Sequence, residues 1–238
     1  MKLLMTEKTK ENSSEPKSSS FKKIGYILYS IFLLFFSLFI FGIGISWTLQ
    51  NLGVSLSLSG ILASQIAIGL YGFVLMKFKK EEIKKVLVKK VSLDTIQYGL
   101  YATIVVLIAN IIIGSIFSTP EGIPEQTQAI LSRGTPLTVY ILPIFFAPIL
   151  EEISFRAGLK YMLVDKGGLN PIFYIILSSV IFGSLHWSSS ATAVPHIVLT
   201  TVMGLIYSIV YIKTKNIYIP ILSHMIYNGL VISVAQFL

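Results

Sequence analysis

The sequence lacks cysteine altogether and contains little charge. Without cysteine, disulfides, thiol catalysis and cysteine-ligated zinc are all excluded. Only 13% of the 238 residues are charged, against about 25% in ordinary soluble domains. In contrast, 54% are hydrophobic and the mean hydropathy is +0.78. This composition disfavours a cytosolic enzyme, a secreted disulfide scaffold and a disordered chain, and it indicates an integral membrane protein.

Arginine is scarce as well, because 17 of the 19 basic residues are lysines. They cluster at the ends of apolar runs, which is typical of topology signals and of contacts with anionic lipid. We therefore expect no nucleic-acid partner, despite the net charge of +8. The pattern predicts a disordered basic cytoplasmic tail over residues 1–22, two transmembrane helices with a basic interfacial loop over residues 23–92, and a helical core over residues 93–238.

Apolar runs of spanning length define the predicted fold, since a bilayer crossing needs about 20 such residues. Seven runs qualify, near Ile24 to Trp47, Val54 to Met76, Thr95 to Phe117, Thr138 to Leu159, Pro171 to Trp187, Val194 to Ile212, and Ile217 to Leu238. They predict an all-α polytopic transmembrane helical bundle of about seven to eight helices. With the amino terminus in the cytoplasm, all lysines fall on the inner side, as the positive-inside rule requires.

The lysine-rich segment 77–92 has its own pattern. Ile83, Leu87 and Val91 stand in a charged background at the spacing of an amphipathic interfacial helix. The segment is either a solvated loop that sets orientation or a specific lipid or partner site.

The fourth run carries two acids and a base, Glu151, Glu152 and Arg156. A charge at mid-membrane costs about 2.5 to 3.5 kcal/mol on insertion scales, so each needs a partner or a task. Glu152 and Arg156 are four residues apart and share a helical face, which predicts an ion pair. Glu151 lies about 100° round the helix and is the carboxylate left for chemistry. Pro143 and Pro148 precede the pair and either kink the helix into a wet pocket or merely relieve packing.

Two later runs add a polar group each. The fifth contains Phe182 and His186 one turn apart, and the seventh contains His224 and Asn228 on one face. His196 stands near the outer end of the sixth run, and we interpret it as an interfacial polar residue.

These residues suit hydrolysis, which needs a base for water and donors for an oxyanion. Glu151 with His186 would hold and deprotonate water, while His224 and Asn228 would donate to the oxyanion. Glu151, His186 and His224 would also make a zinc set of two histidines and one carboxylate. The sequence contains neither a GxSxG elbow nor an HExxH pattern, so serine catalysis is disfavoured and metal dependence stays open.

The same residues resemble a known family. EEISFR at residues 151–156 resembles an EExxxR motif, FGSLH at 182–186 resembles FxxxH, and HMIYN at 224–228 resembles HxxxN, in the order found in the CPBP family of CAAX and bacteriocin-processing membrane proteases, also called Abi proteins. The resemblance covers residues 137–231.

The resemblance implies an intramembrane endopeptidase of a bacterial plasma membrane whose partners are the lipid bilayer and a membrane-associated peptide or protein substrate. It implies water activation by Glu151 and His186, an oxyanion site at His224 and Asn228, and structural support from Glu152, Arg156 and Phe182. Zinc is the cofactor it leaves open, since members are often labelled metalloproteases. CAAX-type cleavage, bacteriocin or signal-peptide maturation and self-immunity all fit.

Two other classes of protein also fit the intramembrane polar residues. A proton-coupled transporter would keep glutamate and histidine in its helices. A non-catalytic immunity or scaffold protein could retain the fold without turnover. One geometric difficulty bears on all three, because a vertical fifth helix would hold His186 about 12 Å further out than Glu151 and His224.

Overall fold

The computed structural model describes residues 20–54, 56–76, 80–89, 91–117, 137–187 and 193–236. The described residues form helices and turns without any β-strand, which confirms the all-α prediction. Most of the predicted tail lies outside the described residues, and helix begins at Ser20. The predicted segment boundaries at residues 22/23 and 92/93 stay predictions.

The helices, in chain order, are α1 (Ser20–Phe35), a π-helical turn (Phe36–Phe41), α2 (Gly42–Asn51), α3 (Leu56–Leu75), α4 (Lys80–Leu87), α5 (Leu93–Phe117), a π-helical stretch (Leu137–Phe146), α6 (Ala147–Glu152), two further π-helical turns (Ile153–Gly158 and Tyr161–Lys166), α7 (Pro171–Ser184), α8 (Ala193–Thr214) and α9 (Tyr218–Ala235). The first three elements form one continuous helix, and so do residues 137–166. The bundle thus has a helix within each predicted run, and α4 is the helix expected in the lysine-rich segment.

The helix of residues 137–166 is longer than predicted. We expected it to end at Leu159, with a loop over residues 160–170, but it continues to Lys166. Met162 and Leu163 explain the extension, because both side chains are buried in the core and their burial stabilises another helical turn. Gly168, two residues beyond the end of the helix, has a φ of 63°, the left-handed conformation that glycine adopts without strain.

Helix α7 is shorter than predicted. Its start is well specified, since Asn170 Oδ1 accepts a hydrogen bond from the Ile172 N–H at 2.8 Å and Pro171 occupies the first turn. It ends at Ser184 rather than Trp187, so His186 lies in a turn beyond the helix. A broken segment around residues 188–194 is one way in which His186 could reach the depth of Glu151, but residues 188–192 lie outside the described residues.

Among the described residues, four helices are long and apolar enough to cross a membrane, namely Phe21–Asn51, Leu93–Phe117, Ala193–Thr214 and Tyr218–Ala235. Two shorter apolar helices, Ser59–Leu75 and Pro171–Ser184, pack among them. The outward faces carry large exposed apolar side chains such as Phe32, Ile111 and Phe173. Apolar surface on this scale belongs against lipid, and the chain is a multi-pass membrane protein.

Small residues bring the helices that carry the EExxxR and FxxxH motifs into close contact with their neighbours. A Cβ on Gly72 of α3 would lie 2.7 Å from Ser154 Cα, and Ser154 Oγ donates a hydrogen bond to the Ile68 carbonyl at 2.8 Å. A Cβ on Gly183 of α7 would overlap Thr201 Oγ1 of α8. Close approach through small residues is the usual packing mode of membrane helices.

Candidate active site

The carboxylate of Glu152 joins the helix of residues 137–166 to α9. Its Oε1 lies 3.0 Å from His224 Nδ1, and its Oε2 lies 3.0 Å from Arg156 Nε. Glu152 and Arg156 are both 0% exposed. The predicted Glu152–Arg156 ion pair is therefore present. His224 is a third member of this group, although the sequence predicted it as a donor to the oxyanion or a zinc ligand. Each oxygen of the Glu152 carboxylate therefore has a partner that compensates its negative charge.

The Arg156 guanidinium is held mostly by aromatic faces. Its Cζ lies 4.5 Å from the ring centre of Phe182 and 5.8 Å from that of Tyr207. Within the described part of the chain, its Nη1 and Nη2 make no hydrogen bond. Cation–π contact is worth most where the cation is desolvated, as it is here. Phe182 thus supports the arginine as well as filling the core.

Glu151 has different surroundings from Glu152. It is 7% exposed, and its Oε1 accepts a hydrogen bond from Gln65 Nε2 of α3 at 3.5 Å, the long limit for such a bond. No ion pair to Glu151 occurs among the described residues. The two neighbouring acids therefore differ in their contacts. Glu152 has a charged or imidazole partner at each oxygen, whereas Glu151 accepts one long hydrogen bond from Gln65 among the described residues.

His186 and His224 both contact the Phe182 ring. The ring centre of Phe182 is 4.8 Å from that of His186 and 6.0 Å from that of His224. His186 Nδ1 lies 2.8 Å from the Phe182 carbonyl oxygen. Because a carbonyl only accepts, Nδ1 carries the proton and Nε2 of the neutral ring has the free lone pair.

Asn228 is bonded to the backbone of the helix of residues 137–166. Its Nδ2 donates to the Pro143 carbonyl at 2.8 Å. Pro143 lies in a π-helical stretch, where a carbonyl accepts from the residue five positions on, and that residue is Pro148, which has no N–H. The amide of Asn228 supplies the missing donor with one N–H and retains a second.

The fit of a metal can be tested on the same geometry. Across the described ranges, which include Glu151, His186 and His224, no three His, Asp or Glu side chains are grouped closely enough to hold an ion. The three predicted ligands are thus in one region but not arranged as a ligand set. Zinc dependence stays a prediction.

Several neighbours of the site were missed from the sequence. Gln65 bonds Glu151, Tyr207 lies 5.5 Å from His224 between ring centres, and the Tyr174 hydroxyl donates to the Phe155 carbonyl at 2.9 Å. Each is a polar residue within an apolar run, and this is the feature of the sequence that could have pointed to it. His196, interpreted as merely interfacial, lies 5.8 Å from His186 between ring centres. The α7–α8 hairpin brings these two histidines together.

Comparison with known proteins finds a similarity over the second half of the chain. Residues 133–230 match the family described as "Rce1-like: Type II CAAX prenyl endopeptidase Rce1-like". This segment contains all three motifs, so the resemblance to the CPBP and CAAX protease family is confirmed there. No solved structure matches the chain.

Two curated relatives narrow the similarity further. The chain is 38% identical over 110 residues to a Bacillus subtilis protein named as membrane peptidase YdiL, an alignment that covers 45% of this chain and 42% of that protein. It is 27% identical over 127 residues to the membrane-embedded CAAX protease MroQ of Staphylococcus aureus, covering 53% of this chain and 51% of MroQ. The chain thus spans about half the length of the curated relatives it matches.

Proposed function

We propose that the chain is an intramembrane endopeptidase that hydrolyses a peptide bond in a membrane-associated protein or peptide. Its match to a CAAX endopeptidase family and the names of its two relatives support this activity. CAAX-type cleavage, bacteriocin or signal-peptide processing and self-immunity are the substrate classes that the family suggests. The inner lysines favour a bacterial plasma membrane orientation with the amino terminus in the cytoplasm.

One observation carries the proposal, namely the unequal surroundings of the glutamate pair. Glu152 is bound on one oxygen by His224 and on the other by Arg156, and is therefore unavailable as a base. Glu151 is buried beside it, and among the described residues its carboxylate accepts a hydrogen bond only from the Gln65 amide. A buried carboxylate without an ion pair destabilises the folded protein, because its desolvation is not compensated. The same carboxylate is free to accept a proton and is therefore suited to act as a general base.

The proposed reaction uses a water molecule and no covalent intermediate. Glu151 takes a proton from water, whose oxygen attacks the scissile carbonyl carbon, and His186 Nε2 accepts the other water hydrogen in a hydrogen bond. The resulting oxyanion receives hydrogen bonds from His224 and from the second N–H of Asn228. Glu151 then passes its proton to the leaving amine as the C–N bond breaks.

His224 can donate from Nε2 only in a particular protonation state. Its Nδ1 proton is committed to the Glu152 carboxylate, so an Nε2 proton makes the ring an imidazolium. Glu152 stabilises that cation, which gives the second glutamate a positioning role in catalysis.

The test is cleavage of a fluorogenic peptide library by the detergent-purified chain, with and without chelator. Wild type should cut, and Glu151→Gln should be slower by about 10²- to 10⁴-fold, the usual contribution of a general base. Ser184→Ala is the matched control, because Ser184 is exposed and bonds only its own helix through the Val180 carbonyl. Equal rates in wild type and Glu151→Gln would remove the base assignment, and vesicle flux without cleavage would favour a transporter.

A further inference from the structure

Gln65 is an unusual residue for the helix in which it lies. It carries the only amide or charged side chain among the 20 residues of α3. A polar group of this kind inside a membrane needs a hydrogen-bonding partner or a task. Helix α3 also precedes residues 133–230, the segment that matches the protease family, so that match assigns Gln65 no role.

Close packing fixes α3 against the helix that carries the glutamate pair. Gln65 Nε2 lies 3.5 Å from Glu151 Oε1. One turn further along both helices, Ser154 Oγ donates to the Ile68 carbonyl at 2.8 Å. A Cβ on Gly72 would lie 2.7 Å from Ser154 Cα, so the two backbones are in direct contact there. The contacts advance in the same direction along both helices, and they hold Gln65 at the level of Glu151.

The two ends of the Gln65 amide are used unequally. Nε2 donates to Glu151, whereas Oε1 is buried and accepts no hydrogen bond from the residues that the structure describes. A buried carbonyl oxygen without a donor destabilises the fold, so its presence calls for a functional explanation.

A glutamine amide can bond Glu151 in both of its protonation states. The carboxylate only accepts, and the Nε2 N–H is its donor. The carboxylic acid carries an O–H that needs an acceptor, and Gln65 Oε1 can be that acceptor. The last side-chain torsion of glutamine is broad, so a half-turn exchanges the two amide ends while the rest of the side chain stays in place.

Neither a cation nor an apolar side chain at position 65 would have this property. Arg156 shows the effect of a cation, because it holds Glu152 as a carboxylate through the 3.0 Å contact of Nε with Oε2. A base held in this way would not keep a proton taken from water. An apolar side chain would offer the carboxylate no donor and the carboxylic acid no acceptor.

We propose that Gln65 is a positioning residue for the catalytic base, donating to the Glu151 carboxylate before water attacks and accepting from the Glu151 carboxylic acid afterwards. The proposal rests on the proposed function, since it takes Glu151 as the base. The proton moves from water to Glu151 and then to the leaving amine, so Gln65 itself neither gains nor loses one. Helix α3 would thus take part in the reaction although it lies outside the matched segment.

The first test is steady-state cleavage of one peptide from the fluorogenic library by the detergent-purified full chain. Gln65→Met keeps the length of the side chain and removes both amide ends. It should lower kcat about 10- to 100-fold, with KM within about twofold of wild type, because Gln65 acts on the base and not on the substrate. In Glu151→Gln the same substitution should change kcat less than about twofold, because the residue that it positions is no longer a base.

Ser64→Ala is the matched control. Ser64 is the neighbour of Gln65 on α3, and its hydroxyl donates to the Ile61 carbonyl of the same helix at 2.9 Å. Ser64→Ala should leave kcat within about twofold of wild type. The unfolding midpoints of Ser64→Ala and Gln65→Met in detergent should both stay close to that of wild type, so that a lower rate is not a folding defect.

A second test does not depend on cleavage. The infrared absorption of the Glu151 carboxyl group is obtained as the difference between the spectra of wild type and Glu151→Gln. Its frequency should shift in Gln65→Met, because the carboxyl group loses its hydrogen-bonding partner, and it should not shift in Ser64→Ala.

Three results would overturn the proposal. The first is an equal kcat in wild type and Gln65→Met, and the second is an equal loss of kcat with and without Glu151. The third is an unchanged Glu151 absorption in Gln65→Met, which counts even in a chain that cuts no peptide. A shifted absorption without any cleavage would instead contradict the proposed function while supporting the contact between Gln65 and Glu151.

Discussion

Glu152 and His224 are 72 positions apart in the sequence, yet Glu152 Oε1 lies 3.0 Å from His224 Nδ1 in the interior of the bundle. The contact joins the first motif to the last and ties α9 to the helix of residues 137–166. It also divides the glutamate pair, because the acid that bonds His224 is the one that pairs with Arg156.

Removing the arginine should damage stability more than chemistry. Arg156→Met leaves Glu152 as a buried carboxylate with only His224, and should cost about 3 to 5 kcal/mol of unfolding free energy. Adding Glu152→Gln should recover part of that loss, because no buried charge is then stranded. Thermal unfolding in detergent measures both effects. A double variant that is less stable than either single one would contradict this account of the pair.

Removing the imidazole should damage chemistry more than stability. His224→Ala should lower kcat by about 10²- to 10³-fold, the usual cost of one oxyanion donor, with little change in KM. Glu152→Gln should also lower kcat, since the imidazolium loses its carboxylate. Peptide cleavage with separate kcat and KM values is the measurement, and a change in KM alone would assign His224 to substrate binding instead.

The Asn228 amide should be coupled to Pro148. Asn228→Ala removes the donor to the part-buried Pro143 carbonyl and should cost about 0.5 to 1.5 kcal/mol of stability, the net value of one hydrogen bond. Pro148→Ala restores a backbone N–H five residues after Pro143, so Asn228→Ala should cost less in that background. A double-mutant cycle of unfolding free energies tests this, and strict additivity would show that the two groups act independently.

Close packing of α7 on α8 should be intolerant of one methyl group. Gly183→Ala would overlap Thr201 Oγ1 and lie 3.0 Å from the Ile197 carbonyl oxygen, and should cost about 1 to 3 kcal/mol. Gly44→Ala is the matched control, because nothing lies within 4 Å of the added carbon. That change should stabilise the helix by about 0.5 to 1 kcal/mol. Unfolding midpoints of the two variants should therefore move in opposite directions.

Most of the fold could be predicted from hydrophobicity, because membrane helices must satisfy their own backbone hydrogen bonds. The four-residue spacing of Glu152 and Arg156 also predicted their ion pair correctly. The boundaries of two helices were wrong, since Met162 and Leu163 extend one into the core and α7 stops before His186. Apolar loops and apolar helix ends look alike in sequence.

The partners of the site residues were harder to predict than the residues themselves. Glu152 with His224, Asn228 with Pro143 and Glu151 with Gln65 all join distant segments. The spacing of residues along one helix does not indicate which residues of another helix they contact. The predicted grouping of Glu151, His186 and His224 around one water stays a prediction, although all three lie in the region of the bundle around Phe182.

The six residues of α6 carry the glutamate pair, and they lie between two π-helical segments, Leu137–Phe146 and Ile153–Gly158. Such wide turns interrupt the regular ladder of a helix and allow the axis to bend. The glutamate pair therefore lies in a part of the helix where the axis can bend. We expect deuterium uptake to be faster at both flanks than in α6 itself, a pattern that would make the joints, rather than any loop, the moving parts of this protein.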